Sequence, residues 1–246
     1  MRTLTGNLGF GSMRNTSNTK LLLHCNGSDA STTITDSASG HTCVATGTAA
    51  LETDYKKYGP TSLYVPTGTN YVSIADHADW NFGSGAWTID FWFRPASDGA
   101  TCGFFQQSQS GGYDSDNVFK FYILSNYLYL VHTTGTTTTI EAAFTYQSGG
   151  FPDTDWTHVA LVRGWGSDTN KIACCINGVS LTEFYGGLGY FDATGVTLAD
   201  FTGPLLVGAH YTVGWLSAYG YIDEFRVVKG EAMWTTNFIP PAGPYS

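Results

Sequence analysis

Short runs in which hydrophobic and polar residues alternate recur along the whole chain. Alternation with a period of two places the two kinds of side chain on opposite faces of a β-strand. In the clearest run, residues 86–95, one face carries Ile89, Phe91 and Phe93, and the other carries Thr88, Asp90, Trp92 and Arg94. Long helical patterns do not occur, so the sequence predicts an all-β protein.

About a dozen such runs follow one another, bounded by Gly, Asn, Asp and Pro residues that favour turns. Gly135 and the pair Asn177 and Gly178 signal tight turns. No internal repeat or linker divides the runs, so their spacing predicts one antiparallel β-sandwich or jelly roll. The predicted strands lie at residues 20–27, 59–65, 70–74, 86–95, 103–107, 118–124, 127–133, 136–144, 156–163, 171–176, 204–209 and 220–230.

Residues 220–230 place two carboxylates and an arginine in an otherwise apolar strand. Strict alternation predicts one face with Ile222, Glu224 and Arg226, and a second face with Tyr221, Asp223, Phe225 and Val227. On this pattern Asp223 and Glu224 point to opposite faces and do not act as a pair on one substrate.

Composition divides the chain into two parts. Residues 1–19 are rich in Gly, Asn, Ser and Thr and have no periodicity, which predicts an extended N-terminal arm. Such an arm is either flexible or ordered on a partner, and we favour the docked form. Residues 20–246 contain all the predicted strands and are expected to form one jelly-roll domain.

The charge balance excludes two classes of partner. Lys and Arg number 11 and Asp and Glu number 20, which gives a net charge of −9. Nucleic acid and anionic membranes are therefore not expected partners, because phosphate binding needs a cationic face. The first residues lack an apolar run of signal-peptide length, and no stretch has transmembrane length, so we expect synthesis in the cytoplasm.

The chain has five cysteines, an odd number, so at least one thiol is free. Cys174 and Cys175 are neighbours in one predicted strand, and their side chains are expected to point to opposite faces. A disulfide between Cys25 and Cys43 remains open, although buried free thiols are the favoured interpretation.

Common catalytic motifs are absent from the sequence, including Gly-x-Ser-x-Gly, His-Glu-x-x-His and the P-loop. His24 and His158 lie within predicted strands, where a role in the core or on a sheet face is expected rather than metal binding. Enzyme activity is therefore not expected.

Seven segments occur in an order that is typical of one fold family. They lie at residues 21–27, 59–65, 71–74, 87–93, 156–163, 176–179 and 221–227. Together they resemble the concanavalin A-like (laminin G-like, LamG) jelly-roll family, especially versions common in tailed phages and environmental bacteria. The resemblance covers residues 20–246 and implies two stacked, curved antiparallel sheets with a concave face.

This resemblance implies a surface that binds glycans or proteins, often together with a structural calcium ion. Glycosidases on the same fold carry Glu-x-Asp-x-x-Glu in one strand, which places the carboxylates on one face. The nearest match here, residues 52–57, has Lys57 in place of the third acid and lies in a predicted polar loop. We therefore interpret residues 52–57 as solvated surface.

Calcium binds six to eight oxygens from carboxylates, amides and carbonyl groups. If Asp223 lies beside the first strand, Asn26, Asp29 and Asp36 are expected to converge with it on one ion. Related sequences often have Asp where Asn26 stands, so the set in this chain carries less charge. The alternative is that Asp223 caps loop amides at a sheet edge.

Aromatic residues in predicted loops are the candidates for ligand binding, because sugars pack on aromatic faces and bond to planar polar groups. A protein interface uses the same residue types, so the sequence leaves this alternative open. The candidate ligand-binding residues are Tyr113, Asn117, Trp165, Tyr185, Tyr190, His210, Tyr211 and Trp215.

These features together predict a non-catalytic, lectin-like binding protein. The phage-like resemblance and the arm favour a component of the virion surface, either a head decoration or a tail-associated adhesion protein. Its expected partners are other virion proteins, further copies of itself (a homo-oligomer such as a trimer) and host glycans. The alternatives are a stand-alone soluble lectin and, less favoured, a glycoside hydrolase of the same fold.

Overall fold

The computed structural model describes residues 17–97, 101–111, 114–125, 127–146, 155–211 and 215–246, with the backbone alone for residues 211, 215 and 216. The described strands are β1 (Thr19–Leu23), β2 (Cys43–Thr46), β3 (Ala50–Glu52), β4 (Ser62–Val65), β5 (Tyr71–Ile74), β6 (Trp87–Pro95), β7 (Cys102–Ser108), β8 (Asn117–Leu124), β9 (Tyr127–Thr134), β10 (Thr137–Thr145), β11 (Thr157–Arg163), β12 (Lys171–Ile176), β13 (Val179–Ser180), β14 (Thr182–Glu183), β15 (Phe191–Asp192), β16 (Leu205–Val207), β17 (Ala209–Tyr211), β18 (Trp215–Ser217) and β19 (Gly220–Lys229). Two 3-10 turns, Ala78–Trp80 and Trp165–Ser167, are the helices of the described chain, and neither is long and apolar enough to cross a membrane.

The strands form two large antiparallel sheets that face each other. The nine-stranded sheet has the order β13-β12-β11-β6-β19-β4-β3, with β1 added to β19 and β15 added to β12. The eight-stranded sheet has the order β14-β10-β9-β8-β7-β16-β5-β2, and β17 and β18 form a separate hairpin. This arrangement confirms the prediction of an all-β, concanavalin A-like sandwich.

Aromatic side chains join the two sheets across the core. Phe91 and Phe93 point inward from β6, and their ring centroids lie 5.2 and 5.0 Å from that of Phe104 on β7. Ile89 belongs to the same core, whereas Asp90 lies on the opposite face of β6. The predicted alternation of residues 86–95 is therefore confirmed.

A buried polar network lies on the outward face of the nine-stranded sheet. Arg226 donates from Nε and Nη2 to the two carboxylate oxygens of Asp90 at 2.9 and 3.0 Å. The Tyr245 hydroxyl donates to Asp90 Oδ2 at 2.6 Å, and His158 Nε2 lies 3.3 Å from the same oxygen. Burial alone raises the pKa of Asp90, but the Arg226 guanidinium and His158 outweigh it and hold the pKa below its usual value.

A β-bulge in β19 changes the expected alternation of residues 220–230. The register with β6 shifts between Asp223 and Arg226, and Glu224 adopts a left-handed backbone with φ 54°. The inserted residue places both Ile222 and Phe225 in the core. The predicted face shared by Ile222, Glu224 and Arg226 is therefore wrong.

The same bulge brings Asp223 and Glu224 to one side of the sheet. Asp223 Oδ2 accepts from the Lys57 amide at 2.8 Å, and Glu224 Oε2 accepts from the Tyr245 amide at 2.8 Å. Tyr245 also bonds to Asp90 on the outward face of the sheet, so its segment covers that face. Both carboxylates therefore bond to segments on the outward side. The expectation that strand alternation separates these carboxylates is wrong.

Several short strands were missed, among them three that lack clear alternation. The polar segment Cys43–Thr46 forms β2, Ala50–Glu52 forms β3, and Phe191–Asp192 forms β15 in a loop rich in Gly and Tyr. Glu52 therefore ends a strand, whereas the sequence placed it in a polar loop. At the N-terminal side, β1 begins at Thr19, one residue before the expected domain boundary.

All five cysteines are free thiols, and the disulfide between Cys25 and Cys43 is not formed. Cys174 packs in the core between the sheets, and Cys175 packs in a second cluster with Ala160 and Val162. The prediction that Cys174 and Cys175 point to opposite faces is confirmed. Burial raises the pKa of Cys175 to about 12, which keeps its thiol protonated.

The substitution Arg226→Met tests how much the sandwich depends on the buried ion pair. Removing the guanidinium leaves Asp90 as an uncompensated buried charge, so we expect the free energy of unfolding to fall by roughly 3–5 kcal/mol. Urea denaturation of the variant measures this loss. The exposed Lys56 provides the control Lys56→Met, which is expected to change stability by less than about 0.5 kcal/mol. Equal stability of both variants would contradict the prediction.

Candidate functional site

Alternation along β8 and β9 divides their side chains between the core and the outward face of the eight-stranded sheet. Phe121 and Leu130 pack in the core, so Tyr122 and Tyr129, their chain neighbours, point outward. We call the surface formed by these and adjacent side chains the aromatic face. Its residues are Lys120, Tyr122, Tyr127, Tyr129, Glu141, Phe184, Tyr185 and His210.

Two stacked tyrosines form the floor of the aromatic face. Tyr122 and Tyr129 are register partners on β8 and β9, with ring centroids 5.2 Å apart and planes 15° apart. On the other side of Tyr129 the register partner is Ala143 of β10, which is too small to cover the ring. Ala143 is itself buried, while both tyrosine side chains are partly exposed, so the floor presents part of two aromatic rings to solvent.

The β17–β18 hairpin forms one side of the aromatic face. It packs against β7 and β8, and the His210 ring lies 4.2 Å from the Tyr122 ring. This contact makes Tyr122 the more enclosed of the two stacked tyrosines. Gln106 of β7 is fully buried although its register partner Lys120 points outward, which is expected where a hairpin lies over a sheet.

The turn after β14 forms the other side. The Phe184 amide donates to the Ala143 carbonyl at 2.7 Å and holds this turn at the edge of β10. The Phe184 ring packs 5.2 Å from Tyr127 and 5.4 Å from Tyr185. Phe184 is 55% exposed and Tyr185 is 66% exposed, so large apolar surfaces meet solvent here. Exposed aromatic groups of this kind mark binding surfaces.

The aromatic face also carries a cation, an anion and hydroxyl groups. Lys120 Nζ lies 5.6 Å from the Tyr122 ring centroid, and Glu141 is exposed on β10. Burial raises the pKa of Tyr122 to about 12, and the nearby Tyr129, Glu141 and Tyr185 add to the shift. The Tyr122 hydroxyl therefore stays protonated at neutral pH and is able to donate a hydrogen bond.

The ligand-binding residues predicted from the sequence do not lie together in the structure. Tyr185 and His210 join the aromatic face, whereas Trp165 and Tyr190 pack against the outer cluster of the nine-stranded sheet. Asn117 begins β8, and its Oδ1 accepts from the Gly135 amide at 3.1 Å, which supports a hairpin turn.

Three other predicted residues have no described side chain. Tyr113 lies outside the described residues. Tyr211 and Trp215 are register partners in the β17–β18 hairpin, where the backbone alone is described. Tyr122 and Tyr129 were not predicted as ligand-binding residues, because they lie in strands and the candidates were loop residues. Their signal in the sequence is a tyrosine at a polar position of predicted strands 118–124 and 127–133.

The residues predicted to bind calcium bond mainly to backbone amides. Asp36 accepts from the amides of Leu22 and Ala38, both at 2.9 Å, and Asp29 accepts from the Thr53 amide at 3.0 Å. Amide hydrogens directed at these oxygens are a poor fit to a cation, which would have to displace them. Capping of loop amides by Asp side chains explains the same residues.

Asn26 and Asp223 complete the predicted calcium set. The Asn26 side chain packs against Gly59, where a Cβ would lie 1.8 Å from Oδ1. Asp223 Oδ2 accepts from the amides of Lys57 and Tyr58, while its buried Oδ1 has no hydrogen-bond partner. The calcium site stays a prediction. Within the predicted set, Asp223 Oδ1 is the buried carboxylate oxygen that has no hydrogen bond.

The sequence profile of the family described as "Concanavalin A-like lectin/glucanases superfamily" (Laminin_G_3) matches residues 66–233, more than half of the chain. The chain belongs to this superfamily. The fold and the LamG-like resemblance expected from the sequence are thus confirmed at the family level. No curated protein sequence matches the chain.

Solved structures superpose on the chain at low identity. The binding domain of botulinum neurotoxin DC, in complex with SialylT, has TM-score 0.59 and 14% identity, covering 90% of this chain and 50% of that chain. A structure described as "Cell entry of botulinum neurotoxin type C is dependent upon interaction with two ganglioside molecules" has TM-score 0.60 and 14% identity, covering 88% of this chain and 49% of that chain. This chain thus spans about half the length of the neurotoxin chains.

One similar structure is matched over most of both chains. Domain 4 of AbnA, a GH43 extracellular arabinanase from Geobacillus stearothermophilus, was solved in complex with arabinotriose. Its TM-score is 0.52 at 17% identity, covering 87% of this chain and 94% of that chain. At such identity the likeness shows the shared fold.

Asp223, a buried carboxylate on the outward side of the nine-stranded sheet, has a raised pKa. Burial raises the pKa of Asp223 to about 7, the amides of Tyr58 and Lys57 act in the opposite direction, and Glu224 raises it further. Because the folded protein holds the Asp223 proton more tightly than the unfolded chain, whose carboxyl has a pKa of 3.8, protonated Asp223 contributes to the free energy of unfolding. This contribution is fully present below pH 3.8 and is lost as the pH rises through about 7.

The substitution Asp223→Asn is expected to remove this pH dependence, because the amide oxygen still accepts from the Lys57 and Tyr58 amides. Relative to the variant, wild-type protein should lose up to about 4 kcal/mol of unfolding free energy between pH 4 and pH 7. Urea denaturation at several pH values measures the difference. The exposed Asp54 gives the control Asp54→Asn, for which we expect wild-type behaviour. A constant difference between wild type and Asp223→Asn would contradict the prediction.

Proposed function

We propose that this chain is a non-catalytic carbohydrate-binding module whose ligand lies on the aromatic face. The observation that carries the proposal is the stacked pair Tyr122 and Tyr129, partly exposed between the β17–β18 hairpin and the turn at Phe184. Binding sites for small ligands combine an apolar floor with a few polar groups that fix orientation.

The chemistry of the aromatic face suits a sugar. Pyranose and furanose rings have an apolar side of C–H bonds that packs on a tyrosine ring, and hydroxyl groups around the rim that need hydrogen bonds. Tyr122 supplies a protonated hydroxyl, Lys120 supplies an ammonium donor and Glu141 supplies a carboxylate acceptor. The mixed charge of Lys120 and Glu141 favours a neutral or weakly charged saccharide over a polyanion.

Structures of similar fold support the same ligand class. A domain matched over 94% of its length was solved with arabinotriose, and the neurotoxin type C structure is titled for an interaction with gangliosides. These ligands belong to those proteins. For this chain they favour a saccharide over other small molecules as the first class to test.

The absence of a second acid on the aromatic face supports binding without catalysis. Glycoside hydrolysis usually needs two carboxyl groups on either side of the scissile bond. The aromatic face, as defined, contains one, Glu141. Asp223 and Glu224 are on the other sheet, buried and bonded to backbone amides.

The substitution Tyr129→Ala tests the site. On a glycan array followed by calorimetry with the best ligand, we expect wild-type binding and at least a tenfold weaker affinity for the variant, about 1.4 kcal/mol. Tyr64 offers a matched control, because it stacks on Tyr221 at 4.7 Å on the outward side of the other sheet. Tyr64→Ala should bind the glycan as wild type does.

Three results would contradict the proposal: no glycan bound by the wild type, equal loss in both variants, or release of sugar from the ligand. The last result would indicate a hydrolase, and replacing Glu141 by Gln would then identify the acid involved. Circular dichroism of each variant excludes unfolding as the cause of a loss.

We further propose that the module is displayed on a virus particle through its N-terminal arm. This proposal rests on the phage-like resemblance and the composition of residues 1–19. Residues 1–16 lie outside the described residues, whereas Asn18 and Thr19 belong to the sandwich: Lys229 donates its amide to the Asn18 carbonyl at 2.9 Å, and Thr19 pairs with Val228.

A deletion of residues 2–16 separates the arm from the fold, because it keeps Asn18 and Thr19 and so keeps β1 paired with β19. We expect the deleted protein to melt as the full chain does, to bind glycan equally, and to lose association with particles in co-sedimentation. Association equal to that of the full chain would show that the arm is not the docking element. For a stand-alone soluble lectin, the deletion would likewise leave co-sedimentation with particles unchanged.

A further inference from the structure

A cluster of two histidines and one aspartate lies at the edge of the eight-stranded sheet, away from the aromatic face. Asp79 Oδ2 is 3.0 Å from His41 Nε2 and 3.1 Å from His77 Nδ1. All three atoms lie within 4.8 Å of one another. We call these residues the His–Asp cluster.

The pairing of β2 with β5 brings the cluster together. Cys43 is the register partner of Ile74, so His41, just before β2, lies beside the turn that follows β5 and contains His77 and Asp79. The two histidines are far apart in sequence but adjacent across the sheet, with ring centroids 4.7 Å apart.

Neighbouring groups hold the cluster in place. Asp36 Oδ2 accepts from the His41 amide at 3.0 Å and fixes the backbone of the first ligand. The buried Trp80 packs 5.0 Å from the His41 ring, and its Nε1 donates to the Ala75 carbonyl at 3.0 Å. Positioned ligands bind metals more tightly than mobile ones, because less conformational entropy is lost on binding.

We propose that His41 Nε2, His77 Nδ1 and Asp79 Oδ2 bind a divalent transition-metal ion of the Zn²⁺ type. Imidazole nitrogen suits zinc and its neighbours, whereas calcium and magnesium take oxygen ligands. Zinc–ligand bonds are about 2.0–2.2 Å, so tetrahedral donor atoms lie about 3.3 Å apart. The separations of 3.0 and 3.1 Å from Asp79 are already close to this value.

Metal binding requires local exchange of hydrogen bonds without a change of fold. The Asp79 amide donates to His77 Nδ1 at 3.2 Å, so this nitrogen carries its lone pair, and the metal ion must displace that one amide hydrogen. His41 Nε2 must give up its contact with Asp79, which places the proton of a neutral imidazole on Nδ1. The nearby Lys229 ammonium is engaged by the Ala78 carbonyl at 2.7 Å.

Three protein ligands leave a fourth position open on the metal. In zinc proteins such an open site holds water or a donor from another molecule. His77 is the exposed ligand, with 52% of its side chain accessible, so the open position can be reached from solvent. The site is independent of the carbohydrate proposal, since β7 and β16 separate β5 from the strands of the aromatic face.

Calorimetric titration of the full chain, purified without a histidine tag, with ZnCl₂ tests the site. We expect one ion per chain at micromolar affinity, and a Co²⁺ complex with the visible absorption of a four-coordinate ion. His77→Ala is the main variant because the side chain is exposed, and it should weaken Zn²⁺ binding by at least about tenfold. His41→Ala should do the same.

Two control variants distinguish this site from other ligands for zinc. Cys43 is the closest thiol in sequence, with Sγ 3.6 Å from the His41 carbonyl, and Cys43→Ser should leave affinity unchanged. His24 bonds to Glu224 on the other sheet, and His24→Ala should also bind as wild type. No binding by the wild type, binding retained in His77→Ala, or loss in Cys43→Ser would overturn the proposal.

Discussion

The antiparallel pairing of β6 with β19 is the contact on which the rest of the sandwich depends. These two strands lie at the centre of the nine-stranded sheet, with β11 beside β6, and β4 and β1 beside β19. Their inward faces stack Phe91 on Phe225 and meet Phe104 of the other sheet. Their outward faces join Asp90 to Arg226, and Tyr245 closes over that pair. One strand pair therefore organises the core and the C-terminal segment together.

The two sheets use their outward faces differently. On the nine-stranded sheet, neighbouring segments cover the charges and engage most of their polar atoms, because a buried ion pair such as Asp90 and Arg226 is stable only when hydrogen bonds support it. Two polar atoms there, Asp223 Oδ1 and Arg226 Nη1, are buried without a hydrogen bond. On the eight-stranded sheet, Tyr185 is exposed and Tyr129 is partly exposed. Covered polar groups stabilise the fold, whereas open aromatic groups are available to a ligand.

Candidate sites were harder to find in the sequence than strands. Tyr185 and His210 were predicted as ligand-binding residues because they are aromatic residues in predicted loops. Tyr122 and Tyr129 were not predicted, because a tyrosine in a strand is usually interpreted as part of the sheet structure. The His–Asp cluster could not be predicted from the sequence for a different reason. Its histidines become neighbours through the register of β2 and β5, and β2 is a polar strand without alternation.

The sequence by itself determined the fold class, most strands and their core faces, since each depends on local periodicity: Ile89, Phe91 and Phe93 are inward because every second residue of β6 is apolar. Only the tertiary structure decided where that periodicity breaks. Glu224 adopts a left-handed backbone, and the resulting bulge reverses the faces of Phe225 and Arg226 relative to strict alternation. Which side chains meet across strands was likewise decided by register, because pairing between distant segments is set by the packing of the whole sandwich and leaves no local pattern.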